Sequence, residues 1–166
     1  MKSSCLFRVI FATLLLCLKL SASLKRLHLG HCVISVNIHE IRHSFQSKDE
    51  RTDIRILHKS YSLQDTEPVD RCCFLRHLLR FYLATVFNHC KASSPLVSRK
   101  VSSIANAFLS IKKELRLCNE VSMCHCGEDV KHKCGQILSQ YEKMEPLSLK
   151  ALGELDILLD WMDKAD

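Results

Sequence analysis

The sequence predicts an all-α fold: a compact six- or seven-helix bundle with a long crossover connection, held by disulfides. Three observations lead there. Apolar residues recur at three- and four-residue steps in successive segments, the spacing of one helix face at about 3.6 residues per turn. Only four glycines occur in 166 residues, and no convincing alternating run or hairpin signal appears. Ten cysteines follow or lie within an N-terminal leader pattern, which places the chain in an oxidising compartment.

The leader comes first. Lys2 and Arg8 precede the apolar run Val9 to Leu18, and Ser21-Ala22-Ser23 offers small residues before a cut. The run is too short against the roughly 20 residues that cross a bilayer as a helix. Residues 1–23 are therefore expected to be a signal peptide, and 24–166 a single helical domain, secreted to the extracellular space. Removing Lys2, Arg8 and Lys19 lowers the net charge from +6 to +3, with the remaining bases scattered among acids. That balance gives no reason to expect nucleic acid as a partner, and no membrane insertion is expected. Lys131-His132-Lys133 and Arg99-Lys100 leave a weak affinity for acidic glycans open, although a solvated helix face is the commoner meaning of such runs.

In the expected domain, Ile34, Ile38, Ile41 and Phe45 paint the stripe of a short first helix. Gln46 to Thr66 is polar and turn-prone, with the apolar patch Ile54-Arg55-Ile56-Leu57 expected to pack as the overhand connection. After Pro68, Asp70 is an expected N-cap, and Leu75, Leu78, Leu79, Tyr82, Leu83, Val86 and Phe87 form the clearest helix. Ser93-Ser94-Pro95 supplies a loop, a cap and a first-turn proline. Val97, Val101, Ile104, Ala105, Phe108, Ile111 and Leu115 continue at helical spacing to Cys118. The link Asn119 to Gly127 leads to a helix carrying Val130, Cys134, Ile137, Leu138 and Tyr141, which Pro146 ends. Leu149, Leu152, Leu155, Leu158, Leu159 and Met162 make the last, with Trp161 near its end. The short turn from Cys90 to Ser94 favours antiparallel neighbours.

Without Cys5 and Cys17 of the leader, eight cysteines remain, an even number with about 105 connectivities open. Adjacent Cys72 and Cys73 point about 100° apart on a helix, so each needs its own partner, and Cys124-His125-Cys126 offers two sulfurs. Cys72 with Cys124, Cys73 with Cys126, and then Cys32 with Cys118 is the preferred set. Closing such loops contributes on the order of 4 kcal/mol each by chain entropy, and less where they overlap. A zinc site on Cys118, Cys124, His125 and Cys126 is the sharper alternative, disfavoured because no second pair at ligand spacing closes a tetrahedron. Catalytic patterns are missing: the vicinal cysteines precede His77 without the aspartate and calcium loop of secreted phospholipases. No Gly-x-Ser-x-Gly, phosphate-cradling glycine loop or His-Glu-x-x-His occurs. Asn88-His89-Cys90 is a poor glycosylation sequon. No enzyme, no metal and no cofactor is expected.

The strings CVISVNIHEIR from Cys32, DIRIL from Asp53, SLQDTEPVDRCCFLRHLLRFYL from Ser62 and RKVSSIANAFLSIKKELRLC from Arg99 resemble the interleukin-10 cytokine family. So do CHCGE from Cys124, QILSQYEKMEP from Gln136 and KALGELDILLDWM from Lys150. Vicinal cysteines, C-x-C and KALGELD together are similar to the interleukin-19, -20 and -24 branch. The resemblance implies an interleukin-10-like monomer that joins an alpha-type and a beta-type chain of a class II cytokine receptor to start JAK-STAT signalling in epithelial and related cells. Its implied partners are the interleukin-20 receptor alpha and beta chains, or the interleukin-22 receptor alpha chain with that beta chain. Immune and inflammatory roles follow from the same resemblance, which also supports the three preferred disulfides.

Two stretches depart from that pattern. Gln46 to Lys48 and Leu147 to Leu149 look contracted near surfaces that the family uses for receptors. Cys90 and Cys134 stand where relatives generally lack cysteine, and the even count suggests a fourth bridge between them. Alpha-type contacts are expected at Asp53, Arg55, Lys59, Glu154, Asp160 and Lys164. Beta-type contacts are expected at His39, Arg42, Arg99, Lys100, Ser103 and Asn106. The competing function is a secreted helical carrier of a lipid or small molecule, which would keep an apolar cavity inside the bundle where a cytokine packs it full.

Overall fold

The computed structural model describes residues 2–22, 24–44, 55–90, 95–122, 124–143 and 148–165. Phe45, the contracted Gln46 to Lys48, Asp53, Ile54, the turn residues 91–94, Pro146 and Leu147 lie outside them, as does Ser23 of the expected cleavage site. Helix α1, Lys2–Ala22, leaves Leu6, Phe7, Val9, Ile10 and Phe11 more than half exposed, so its apolar side chains do not serve the core. No described helix is long and apolar enough to cross a membrane.

A hairpin that the sequence reading did not foresee begins the packed domain. Strands β1, Lys25–Leu29, and β2, Cys32–Val36, pair antiparallel, with Leu27 opposite Ile34 and Leu29 opposite Cys32. Leu27, Leu29, Cys32, Ile34 and Val36 are buried, whereas Arg26, His28, Val33 and Ser35 face outward. Ile34 thus belongs to a strand, and only Ile38 and Ile41 of the expected first stripe lie on α2, Ile38–Ser44. Isoleucines at 34, 38 and 41 fit a helix, but even-numbered 34, 36 and 38 also fit an alternating face, and tertiary pairing with β1 selects the strand. Gly30 turns the hairpin at a φ of 71°, a conformation that L side chains rarely adopt. A Cβ there would meet the Pro68 carbonyl at 2.8 Å, because the hairpin tip presses on the turn Pro68–Asp70.

Helix α3, Arg71–Phe81, continues through a π-helical turn, Tyr82–Val86, into α4, Phe87–Cys90. Helix α5 is Pro95–Ser122, α6 is Glu128–Glu142, α7 is Ser148–Gly153 and α8 is Leu155–Asp163. The fold is thus mostly helical, as the spacing predicts, and Pro95 stands at the first position of α5. The last stripe is broken into α7 and α8 at Glu154. Tyr82, Phe87 and Phe108 meet with ring centres 5.5 to 6.0 Å apart at the centre, and all three are fully buried. Phe74 and Trp161 stack at 6.5 Å, which joins α3 to α8. The Tyr82 hydroxyl donates to the Ala151 carbonyl at 2.8 Å, and burial first, then Glu154 and Cys90, pushes its pKa well up.

Three disulfides staple these elements: Cys32–Cys118, Cys72–Cys124 and Cys73–Cys126, with Cα separations of 5.8, 5.4 and 5.5 Å. Those separations lie in the usual range for the bond. The fourth bridge does not form. Cys90 is buried near Tyr141, whose hydroxyl meets the adjacent His89 ring at 2.9 Å, and Cys90 also raises the Tyr141 pKa after burial does. Cys134 lies seven residues before Tyr141 along α6, about 10 Å of helix rise, and neither it nor Cys90 is disulfide-bonded.

Asp70 does not cap α3 with its side chain. Its carboxylate instead accepts from the Gly127 amide at 3.1 Å and contacts His125 Nδ1, holding the start of α6 between the vicinal staples. Replacing Gly30 with alanine is expected to cost roughly 1–3 kcal/mol through the strained turn and the Pro68 contact. A urea midpoint equal to that of the parent protein would contradict this account.

Candidate functional site

With the catalytic patterns missing from the sequence, the features to place are exposed faces held by rigid elements. The first face lies where α2 meets α5. Asn37 starts α2: its Oδ1 accepts from the Glu40 amide at 2.9 Å, while its Nδ2 donates to Glu40 Oε2 at 3.0 Å. Glu114 of α5 accepts from the Ser35 amide at 3.2 Å and so ties the exposed strand to the long helix. Between these contacts runs a groove of about 450 Å³ whose floor includes Val36, Ile41, Ile104 and Ile111. Its rim carries Asn37, Glu40, Ser103, Asn106, Ser110 and Glu114.

Among the expected beta-type residues, Ser103 and Asn106 line this groove. Arg99 continues the same stripe one turn earlier, since 99, 103, 106 and 110 advance by four, three and four. Arg99 is exposed and Lys100 half-buried, while His39 and Arg42 are exposed on α2 without lining the groove. Ser35, Asn37, Glu40, Ser110 and Glu114 escaped the sequence reading. The Asn37-x-x-Glu40 capping pattern and the α5 stripe were the signals that could have found them.

The second face follows the crossover connection. Arg55 is exposed, and Lys59 begins an exposed turn, Lys59–Tyr61, entered through His58. Asp160 is half-buried and its carboxylate holds Lys164 Nζ at 2.8 Å along α8. The Gln64 side chain donates to the Trp161 carbonyl at 2.7 Å, so the connection runs along α8. Glu154 does not belong to this surface. It is fully buried, accepts from the Ile56 amide at 3.1 Å and the Leu57 amide at 2.8 Å, and pairs with buried Lys150 at 3.2 Å. An alpha-type contact was expected there because Glu154 is acidic and falls in the last helical segment. The helix break between α7 and α8 turns it inward instead.

A similar correction applies to Lys133. Its side chain is 4% exposed and its ammonium meets Asp129 at 3.0 Å, the Asp65 carbonyl at 2.9 Å and Thr66 Oγ1 at 3.1 Å. It anchors α6 to the turn before α3, so Lys131-His132-Lys133 is not a continuous glycan-binding run. Cys73, His77 and Cys126 place ligand atoms close together, but the two sulfurs are bonded to each other. Likewise Cys118, Cys124 and Cys126 of the zinc alternative are consumed by disulfides. Cysteine binds zinc as the thiolate, and a disulfide sulfur is not one.

Comparison with known proteins places this geometry among relatives. Residues 17–165 match the family model described as Interleukin 10. Interleukin-20 of Mus musculus is 49% identical over 85% of each chain, and interleukin-19 of Homo sapiens is 38% identical over 82% of each. Among solved structures, a PROSS-edited human interleukin 24 superposes with a TM-score of 0.71 at 34% identity, covering 84% of this chain and 98% of that one. Human interleukin-19 gives 0.68 at 36% identity, covering 77% and 88%.

Glu154→Ala should lower stability by about 3–5 kcal/mol, because it strands a buried ammonium and two backbone donors. Amide hydrogen exchange at Ile56 and Leu57 should rise with it. Unchanged protection at those two amides would show that the carboxylate is not what holds the connection.

Proposed function

The chain belongs to the interleukin-10 family, and on that premise we propose that it is a secreted cytokine that joins the two chains of a class II cytokine receptor. The observation that carries this reading is the family match together with two exposed faces on anchored elements: α5, which Cys32–Cys118 ties to β2, and the connection, which Glu154 and the Trp161 carbonyl hold to the last helical layer. Binding proteins lose less ordering entropy when the docking side chains are already held in place, and these anchors supply that here. The protein acts by binding, with no chemistry of its own.

The α2–α5 groove with Arg99, Lys100, Ser103 and Asn106 on α5, and His39 and Arg42 beside it, takes the shared beta-type chain. Arg55 and Lys59 on the connection, with Asp160 and Lys164 on α8, take the alpha-type chain, and Asp53 belongs to the same contact. The interleukin-20 receptor alpha and beta chains, or the interleukin-22 receptor alpha chain with that beta chain, are the assigned partners. JAK-STAT signalling in epithelial and related cells is the output, with immune and inflammatory consequences. One copy of the protein suffices. Residues 1–23 act as a signal peptide, a reading supported by the run of exposed apolar side chains on α1, none of whose described side chains belongs to the core.

A carrier with a ligand inside the bundle is not favoured, since Tyr82, Phe87 and Phe108 fill its centre.

Charge reversal separates the two faces. Arg99→Glu should weaken binding to an immobilised beta-type chain by tenfold or more while leaving the alpha-type chain unaffected, and Arg55→Glu should do the reverse. If both variants bind both chains like the parent protein, the assignment of faces is wrong. N-terminal sequencing of protein released from cells should begin at Leu24; a start at Met1 would remove the signal-peptide assignment.

A further inference from the structure

The staples Cys72–Cys124 and Cys73–Cys126 bring α3 and α6 together at one end, and Phe81 meets Tyr141 at 5.2 Å farther along, so the two helices run side by side in the same direction. Between them is a groove of about 400 Å³ that neither receptor face uses. Its walls are Leu78, Phe81, Ala84, Cys134, Ile137 and Leu138. Leu138 is 43% exposed at its edge, an apolar side chain with room for a partner. The Cys134 thiol is pushed up to about 11 by burial, so it stays protonated at neutral pH and adds apolar surface.

The α3 wall of the groove is basic. Arg80 and His77 line it, and Arg76 stands one turn before Arg80 on the same helix. The His77 pKa is lowered by burial first and then by the neighbouring Arg76 and Arg80. No carboxylate lines the groove, and among the described residues no acid pairs with the Arg80 guanidinium.

We propose that the α3–α6 groove is a binding site for a medium-chain alkyl carboxylate, with the chain lying on Phe81, Ile137 and Leu138 and the carboxylate against Arg80. An apolar floor with one guanidinium on its wall selects an amphiphile over a sugar or a nucleotide, and guanidinium geometry suits a carboxylate's two oxygens. The volume lies at the low end of the roughly 300–1,000 Å³ of small-molecule sites, which favours a medium chain over a long one. The site is separate from the internal cavity of a carrier and leaves both receptor faces free.

Calorimetric titration of the full chain with octanoate, decanoate and dodecanoate, each below its micelle concentration, tests this. Saturable one-to-one binding is expected, with affinity rising by up to about fourfold per added methylene until the groove is full. Arg80→Gln should weaken decanoate about fivefold, while decanol should bind parent and variant alike. Ala84→Trp should abolish the binding by filling the groove; Ala84 is exposed, so the fold does not depend on its size. An unchanged melting temperature without ligand verifies that. Binding that ignores both substitutions would lie elsewhere on the protein and would overturn the proposal. So would association with anionic phospholipid vesicles but not with the monomeric acids.

Discussion

Glu154 carries a charge where no water reaches it, and the placement of the crossover connection depends on how that charge is satisfied. A buried carboxylate is tolerable only when hydrogen-bond donors and a counter-charge surround it. Here the donors are the Ile56 and Leu57 amides and the counter-charge is Lys150 one turn back. Two otherwise unpaired backbone groups of an irregular segment thereby find their acceptor on the last helical layer, and the connection is pinned across the bundle. The same point breaks the final helical stripe into α7 and α8. Arg55 and Lys59, on either side of the two bonded amides, inherit their positions from this arrangement.

Lys133 and Asp70 repeat the device at smaller scale. Lys133 reaches from α6 to the turn at Asp65 and Thr66, and Asp70 reaches from the start of α3 to the amide that begins α6. Together with the two vicinal staples, these contacts fix α3 and α6 as neighbours. A groove between them follows because Ala84 and Cys134 are too small to close the space that Phe81 and Leu138 open. The two exposed faces and this groove are thus by-products of how irregular segments are anchored, around the shared aromatic centre of Tyr82, Phe87 and Phe108.

Much of the fold was legible in the residue order. Leucine and phenylalanine spacing in α3, α5 and α8 specifies their buried faces, because a wide apolar stripe has few alternatives to a helix. Adjacent cysteines cannot easily bond each other, so the pattern itself demanded two external partners. The hairpin was not legible: β1 is five residues with two bases, and Ile34 fits a strand as well as a helix until β1 lies beside it. Of the α2–α5 groove the α5 spacing makes Ser103 and Asn106 legible as neighbours on one helix face, while Ser35 and Glu114 come together only through a hydrogen bond spanning 79 residues.

By itself the sequence determined a helical, disulfide-rich chain without a familiar catalytic pattern, since these properties follow from periodicity, cysteine count and local composition. Tertiary structure alone decided which charged residues are surface. Glu154 and Lys133 read as solvated because charge avoids the interior, yet each is inside because backbone groups from a distant loop meet it there. It also decided against a Cys90–Cys134 bridge, since an even count says nothing of distance along two parallel helices. Local chemistry specifies which groups need partners, and only the assembled chain brings those partners within reach.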